Sequence, residues 1–160
     1  MLPAWWHEKK IVDYTRKIQE NPNDELSYLC RGISYRILNK YESAIQNFNK
    51  AVELNKEFKE AYNNRGEIYF KLNQYELAIK DFDRAIALAP DEEIFYINRG
   101  KAYLKLDLYE SAIEDFSKAI ELDSDCYYAY YNRAVAYVSL KKFKPAEEDF
   151  ERAKELGYKV

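Results

Sequence analysis

Identical residues return every 34 positions along this chain, and a period of that length leaves few folds open. Gly32, Gly66 and Gly100 keep the interval, with Ala134 next in line. So do Tyr28, Tyr62, Tyr96 and Tyr130, and likewise Tyr35, Tyr69, Tyr103 and Tyr137. Three further columns run behind them: Ala44, Ala78, Ala112 and Ala146; Phe48, Phe82, Phe116 and Phe150; Ala51, Ala85, Ala119 and Ala153. Self-similarity at this spacing marks stacked supersecondary units, each too small to bury its apolar face without its neighbours.

Inside one unit the apolar spacing is helical. Tyr62, Tyr69 and Leu72 fall at i, i+7 and i+10, and Tyr75, Ala78, Ile79, Phe82, Ala85 and Ile86 form a second stripe. Leu72-Asn73-Gln74-Tyr75 separates the stripes and Ala89-Pro90-Asp91-Glu92 separates the units, both short enough to leave successive helices antiparallel. With 4 Gly and 4 Pro in 160 residues, the composition suits helices better than a loop-rich sheet. The small columns predict close approach of paired helices. A helical Gly costs about 0.5–1 kcal/mol relative to Ala, so three of them imply a contact that returns more.

These residues resemble the tetratricopeptide repeat family, whose pattern of an aromatic, Leu-Gly, Tyr, Ala, Phe and Pro is matched by Tyr62, Arg65-Gly66, Tyr69, Ala78, Phe82 and Pro90. Tyr stands for the family's Trp, and Arg31, Arg65, Arg99 and Arg133 stand for its Leu. Only the second unit keeps the closing Pro; Lys56, Ser124 and Tyr158 replace it elsewhere. The resemblance covers residues 25–160 and implies an all-α, right-handed superhelix of about nine antiparallel helices. One domain is expected: an N-terminal capping helix as a half-repeat over 1–24, then repeats over 25–58, 59–92, 93–126 and 127–160.

Both ends read as finished. Ile11, Tyr14, Ile18 and Pro22 sit one period before Ile45, Phe48, Val52 and Lys56, so the first segment mimics a second helix. Lys10 and Lys17 take the places of Ala44 and Ala51 because that segment has no first helix to face. Ile45/Val52, Ile79/Ile86 and Ile113/Ile120 are expected to face the following unit, whereas the last unit has Glu147 and Lys154 there, the polar outer face a terminal repeat needs. Gly157 is placed to end the last helix, and Pro145 lies in its first turn. The Arg column, with Asp81, Asp115 and Asp149 and with Asn47 in the first unit, predicts an internal ion-pair ladder.

Composition and motifs weigh against chemistry. A net charge of −3 lacks the basic footprint that neutralises phosphates, so nucleic acid is not expected as a partner. Cys30 and Cys126 lie too many units apart to pair, predicting free thiols and a reducing, cytoplasmic setting. The start lacks the apolar core of a signal peptide, and no stretch is long enough to span a bilayer, so no membrane partner is expected. His7, the single histidine, is expected as a surface or capping residue with no second base or ligand nearby. Cys30 is expected to be a packed thiol. Neither a Gly-rich phosphate loop nor metal-ligand spacing occurs. The chain is therefore expected to be no enzyme, with no catalytic residue, metal or cofactor.

Repeat proteins of this kind mostly bind other proteins, and the resemblance places ligands on the concave face lined by first helices. Repeat one then contributes Leu26, Leu29, Cys30, Ile33 and Ile37; repeat two Glu60, Asn63, Asn64, Glu67 and Lys71. Repeat three contributes Ile94, Ile97, Asn98, Lys101 and Lys105, and repeat four Tyr128, Tyr131, Asn132 and Val135. Asn64, Asn98 and Asn132 form a row of amides able to donate to and accept from a peptide backbone. Lys71, Lys101 and Lys105 favour an acidic segment, with Leu29 and Ile33 at one end and Tyr131 at the other as apolar anchors. The resemblance also supplies a negative. Where relatives grip chaperone C-termini with Lys, Asn, Asn, Lys and Arg, this chain has Leu29, Ile33, Asn64, Ile94 and Asn98, so that carboxylate clamp is not expected. Shifting by one repeat gives Asn63, Glu67, Asn98, Tyr128 and Asn132, which also lack every cation. The expected function is a non-catalytic adaptor that binds a peptide segment of another protein. The alternative is a self-assembling module, such as a homodimer formed through Trp5 and Trp6 or the Leu26–Ile37 patch.

Overall fold

A computed structural model describes residues 2–158. Among them lie nine helices and no strand: α1 Ala4–Glu20, α2 Glu25–Ile37, α3 Tyr41–Leu54, α4 Lys59–Lys71, α5 Tyr75–Leu88, α6 Glu93–Lys105, α7 Tyr109–Leu122, α8 Tyr127–Ser139 and α9 Phe143–Glu155. The pairs α2–α3, α4–α5, α6–α7 and α8–α9 stack in chain order, with α1 packed on α2.

One turn design makes every pair. After Ile37 and the cap residue Leu38, Asn39 enters the left-handed region at φ 57°. The Asn39 N–H bonds to the Arg36 carbonyl at 3.0 Å and the Lys40 N–H to the Tyr35 carbonyl at 2.9 Å, satisfying the helix's last acceptors. Lys40 already caps α3, so the chain reverses within three residues. Asn73, Asp107 and Lys141 repeat the turn at φ 59°, 58° and 58°. In the first three turns a Tyr two residues on donates to the left-handed side chain: Tyr41 to Asn39 (2.8 Å), Tyr75 to Asn73 (2.7 Å) and Tyr109 to Asp107. The fourth turn has Lys141 and Phe143, and loses both partners of that bond together.

The glycine columns are explained by the phenylalanines. A Cβ at Gly32 would lie 2.6 Å from the Phe48 ring; at Gly66 it would lie 2.7 Å from Phe82, and at Gly100 2.8 Å from Phe116. Those three rings are fully buried, with 0–1% of their surface exposed. Ala134 brings a methyl to the equivalent place, and there Phe150 is only half-buried, tilted against Tyr131 with ring centroids 5.6 Å apart.

Between pairs, the β-branched columns face forward as expected. Ile45 and Val52 pack with Ala61 and Ile68, Ile79 with Ala102, Ile113 with Ala136, and Ile120 with Ala129. Glu147 and Lys154, their counterparts on α9, are exposed. At the other end, Lys10 lies 5.2 Å over the Trp6 ring and Lys17 5.5 Å over Tyr14. Long alkyl stems and cation–π contact thus cover these two rings. Gly157, at φ 99°, closes α9: the Tyr158 N–H bonds to the Ala153 carbonyl at 2.9 Å.

The arginine column does more than the ladder expected of it. Arg65 makes a bidentate pair with Asp81 (2.7 and 2.6 Å), Arg99 with Asp115 (2.9 and 2.6 Å) and Arg133 with Asp149 (2.7 and 2.8 Å); Arg31 bonds to Asn47 at 2.8 Å. Each guanidinium also reaches back 16 residues to the preceding second helix: Arg31 to Thr15, Arg65 to Asn49, Arg99 to Asp83 and Arg133 to Ser117. One side chain therefore ties three helices, and α1 takes part through Thr15. Burial pushes the Asp115 carboxyl up, opposed by the hydrogen bonds from Arg99, and Asp115 keeps only 4% of its surface exposed. Removing the cation would strand that carboxylate. Arg99→Ala is expected to lower stability in urea by about 3–5 kcal/mol. Arg99→Met combined with Asp115→Leu should cost much less, and equal losses for the two variants would show that charge pairing is not what the staple supplies.

Candidate functional site

Helix contacts alone define an inner and an outer face. α2 touches α4, α4 touches α6 and α6 touches α8, whereas among the described residues no second helix approaches another second helix. First helices closer together than second helices mean that the stack curls with α2, α4, α6 and α8 inside. That inner wall carries three adjoining hollows. One of about 320 Å³ lies between α4 and α6, lined by Glu67, Phe70, Lys71, Asn98 and Lys101, with Phe82 as floor. The largest, about 570 Å³, lies between α6 and α8 and is walled by Ile94, Ile97, Tyr128, Tyr131 and Tyr158. A third, about 390 Å³, includes Phe70, Leu104, Lys105, Asn132 and Val135. Lys101 lines all three.

The charge in this wall is uncommitted. Among the described residues, no carboxylate lies within 4.0 Å of the Lys71, Lys101 or Lys105 ammonium. Lys101 sits 5.5 Å over the Phe70 ring and Lys71 5.9 Å over the Tyr41 ring. Glu67, which lines the first hollow, is ion-paired with Arg36 on α2 and accepts from Asn63 at 3.2 Å.

The three asparagines of the expected amide row each donate one hydrogen bond within the chain. Asn64 donates to the Glu60 carbonyl and Asn132 to the Tyr128 carbonyl, both at 2.7 Å, while Asn98 donates to Asn63 Oδ1 at 3.0 Å. Each amide spends one of its two N–H groups, so the row still offers an oxygen and a second N–H to a neighbouring backbone.

The first pair departs from expectation. Leu29 is 6% exposed and packs with Ala61 and Ile68 in the core, so it has no face to offer as an anchor. Ile33 lines a separate hollow of about 160 Å³, with Trp6, His7, Lys10, Tyr14, Cys30 and Ile37, covered by α1. His7, expected at the surface, is 6% exposed and its Nδ1 finds no hydrogen-bond partner. It occupies the column of Tyr41, Tyr75 and Tyr109, one period earlier, with Trp6 edge-on to it at 5.0 Å. Sequence reasoning also missed Phe70, Leu104 and Tyr158. Tyr158 lies beyond the last helix, yet stacks on Tyr131 at 4.2 Å and walls the largest hollow.

Among the described residues no three His, Cys, Asp or Glu side chains are arranged to hold a metal, and no helix is long and apolar enough to cross a membrane. A family model described as Tetratricopeptide repeat matches residues 60–92, 94–126 and 127–156, and one described as TPR repeat matches 32–73. No curated protein matches the chain. Among solved structures, the chain is similar to MamA 41-end from Desulfovibrio magneticus RS-1, at 26% identity and a TM-score of 0.88, over 94% of this chain and 85% of that one. The Arabidopsis OM64 TPR domain is 31% identical with a TM-score of 0.61, over 62% of this chain and 82% of that domain. PilF of Pseudomonas aeruginosa, 17% identical with a TM-score of 0.88 over 96% and 70%, shares the fold alone.

Cys126 opens onto the largest hollow, and burial pushes its thiol up. The thiolate is the attacking species, and a raised pKa lowers its fraction at any given pH. Alkylation of Cys126 by iodoacetamide, followed by mass spectrometry, should therefore have its pH midpoint above the ~8.5 of an ordinary cysteine. A midpoint at or below that value would contradict this environment.

Proposed function

The chain belongs to the tetratricopeptide repeat family, and from that membership we propose that it is a non-catalytic adaptor holding a peptide segment of a partner protein in the concave groove along α4, α6 and α8. The family's members are typically interaction scaffolds rather than enzymes. One observation carries the choice of face: hollows run on across α4, α6 and α8 through Lys101, with side chains that differ from pair to pair over packing columns that do not. Variable walls on a constant frame suit recognition of a defined segment. The amide oxygens of Asn64, Asn98 and Asn132 would meet its backbone, and the hollows its side chains.

A self-assembling module is the second reading, favoured by Trp5 and Val12, which are 63% and 69% exposed one heptad apart on α1. A photo-crosslinking residue placed at Asn132, in the groove, or at Lys80, on the outer helix α5, separates the two. The adaptor reading expects adducts at Asn132 that map to one short segment of another protein, with few at Lys80. Adducts from Lys80 alone would remove the groove from consideration, and adducts between copies of this chain would favour self-assembly.

A further inference from the structure

The groove reading, on which this inference rests, leaves the chemistry of the ligand open. The three lysines narrow it. In a molecule of net charge −3, Lys71, Lys101 and Lys105 gather on the inner wall, where each lines at least one of the hollows. Lys101 is also half-buried, its ammonium over the Phe70 ring. Partial removal from water strengthens its attraction for an incoming anion and weakens screening by salt.

Next to it lies a hollow of different character. Ile94 and Tyr128, 41% and 54% exposed, meet the flat wall of the Tyr131–Tyr158 stack. Its size suits a large side chain, and its lining is mostly carbon. Glu93 stands at the rim of this hollow, so an acidic side chain is repelled there and directed toward α4. Lys101, which also lines this hollow, stands where the apolar wall and the cations meet, with Lys105 beside it and Lys71 on the α4 side.

We infer that the groove takes a two-part peptide from another protein: a large apolar or aromatic side chain in the hollow between α6 and α8, and an acidic residue over Lys101, flanked by Lys71 and Lys105. Amide oxygens of Asn98 and Asn132 lie between the two parts. Neither part suffices for selection, because the apolar hollow accepts many side chains and the lysines accept any acid.

The test uses the full chain as bait for a displayed library of random twelve-residue peptides, followed by binding of the best synthetic peptide to variants. Selected peptides should combine Asp or Glu with Phe, Trp, Tyr, Leu or Ile. Lys101→Glu should weaken the best peptide roughly tenfold, with binding falling as salt rises. Ile94→Ser with Tyr128→Ser should weaken it comparably without that change in salt dependence. Should Lys101→Glu alter the circular dichroism, Lys101→Gln replaces it with the same expected direction. Peptides that lack acids but still lose binding in Ile94→Ser/Tyr128→Ser would overturn the two-part ligand while leaving the groove reading intact. Peptides indifferent to every groove variant, or no selected peptide at all, would overturn both. A concentration-dependent dimer that Lys101→Glu dissociates would identify a second copy as the occupant and refute the inference.

Discussion

The contact between a helical glycine and a buried phenylalanine sets the geometry of the whole stack. At Gly32, Gly66 and Gly100 the partner ring lies where a Cβ would be, so the two helices of a pair come closer than any other residue would allow. The ring gains a fully buried site worth about 1.5–3 kcal/mol, more than the glycine's loss of helix propensity. Three of the four pairs are built this way; in α8–α9 Ala134 stands in for the glycine and Phe150 is only half-buried. Phe82, the partner of Gly66, is also the floor of one hollow.

The arginines solve a second problem, the joining of pairs. Hydrophobic contact between successive pairs is non-directional, and stacked units that slide would distort any groove built across them. A guanidinium with five donors in a rigid fork fixes one helix against two others at set distances. In the first pair Asn47 and Thr15 replace the carboxylates, so the geometry persists where the charge does not. In the first and last helices polar residues stand on columns that are apolar elsewhere: Lys10 and Lys17 over aromatic rings, Glu147 and Lys154 in water.

The fold was legible because its determinants repeat as identical letters: glycine, phenylalanine and small alanine columns announce paired helices directly. What repeats only as a chemical class was harder to see. Thr15, Asn49, Asp83 and Ser117 share a step of 34 and an acceptor oxygen but no identity, so the backward arm of each arginine went unread. The candidate groove was legible as a helix face, which is a matter of spacing. Burial along that face is set by neighbours, and there the reading slipped. α1 covers the first pair, which hides His7 and helps close off Ile33, while Leu29 sinks between α2 and α4. Tyr158 belongs to no first helix, and only the turn at Gly157 brings its ring onto Tyr131.

The glycine–phenylalanine contact can be tested by a substitution for which two physical effects predict opposite signs. Helix propensity alone says that Gly66→Ala stabilises by about 0.5–1 kcal/mol. The packing described here says that it destabilises by about 1–3 kcal/mol in equilibrium denaturation, and that most of this loss disappears when Phe82→Leu shortens the opposing side chain. A stabilised Gly66→Ala protein, or strictly additive losses in the double variant, would contradict the account.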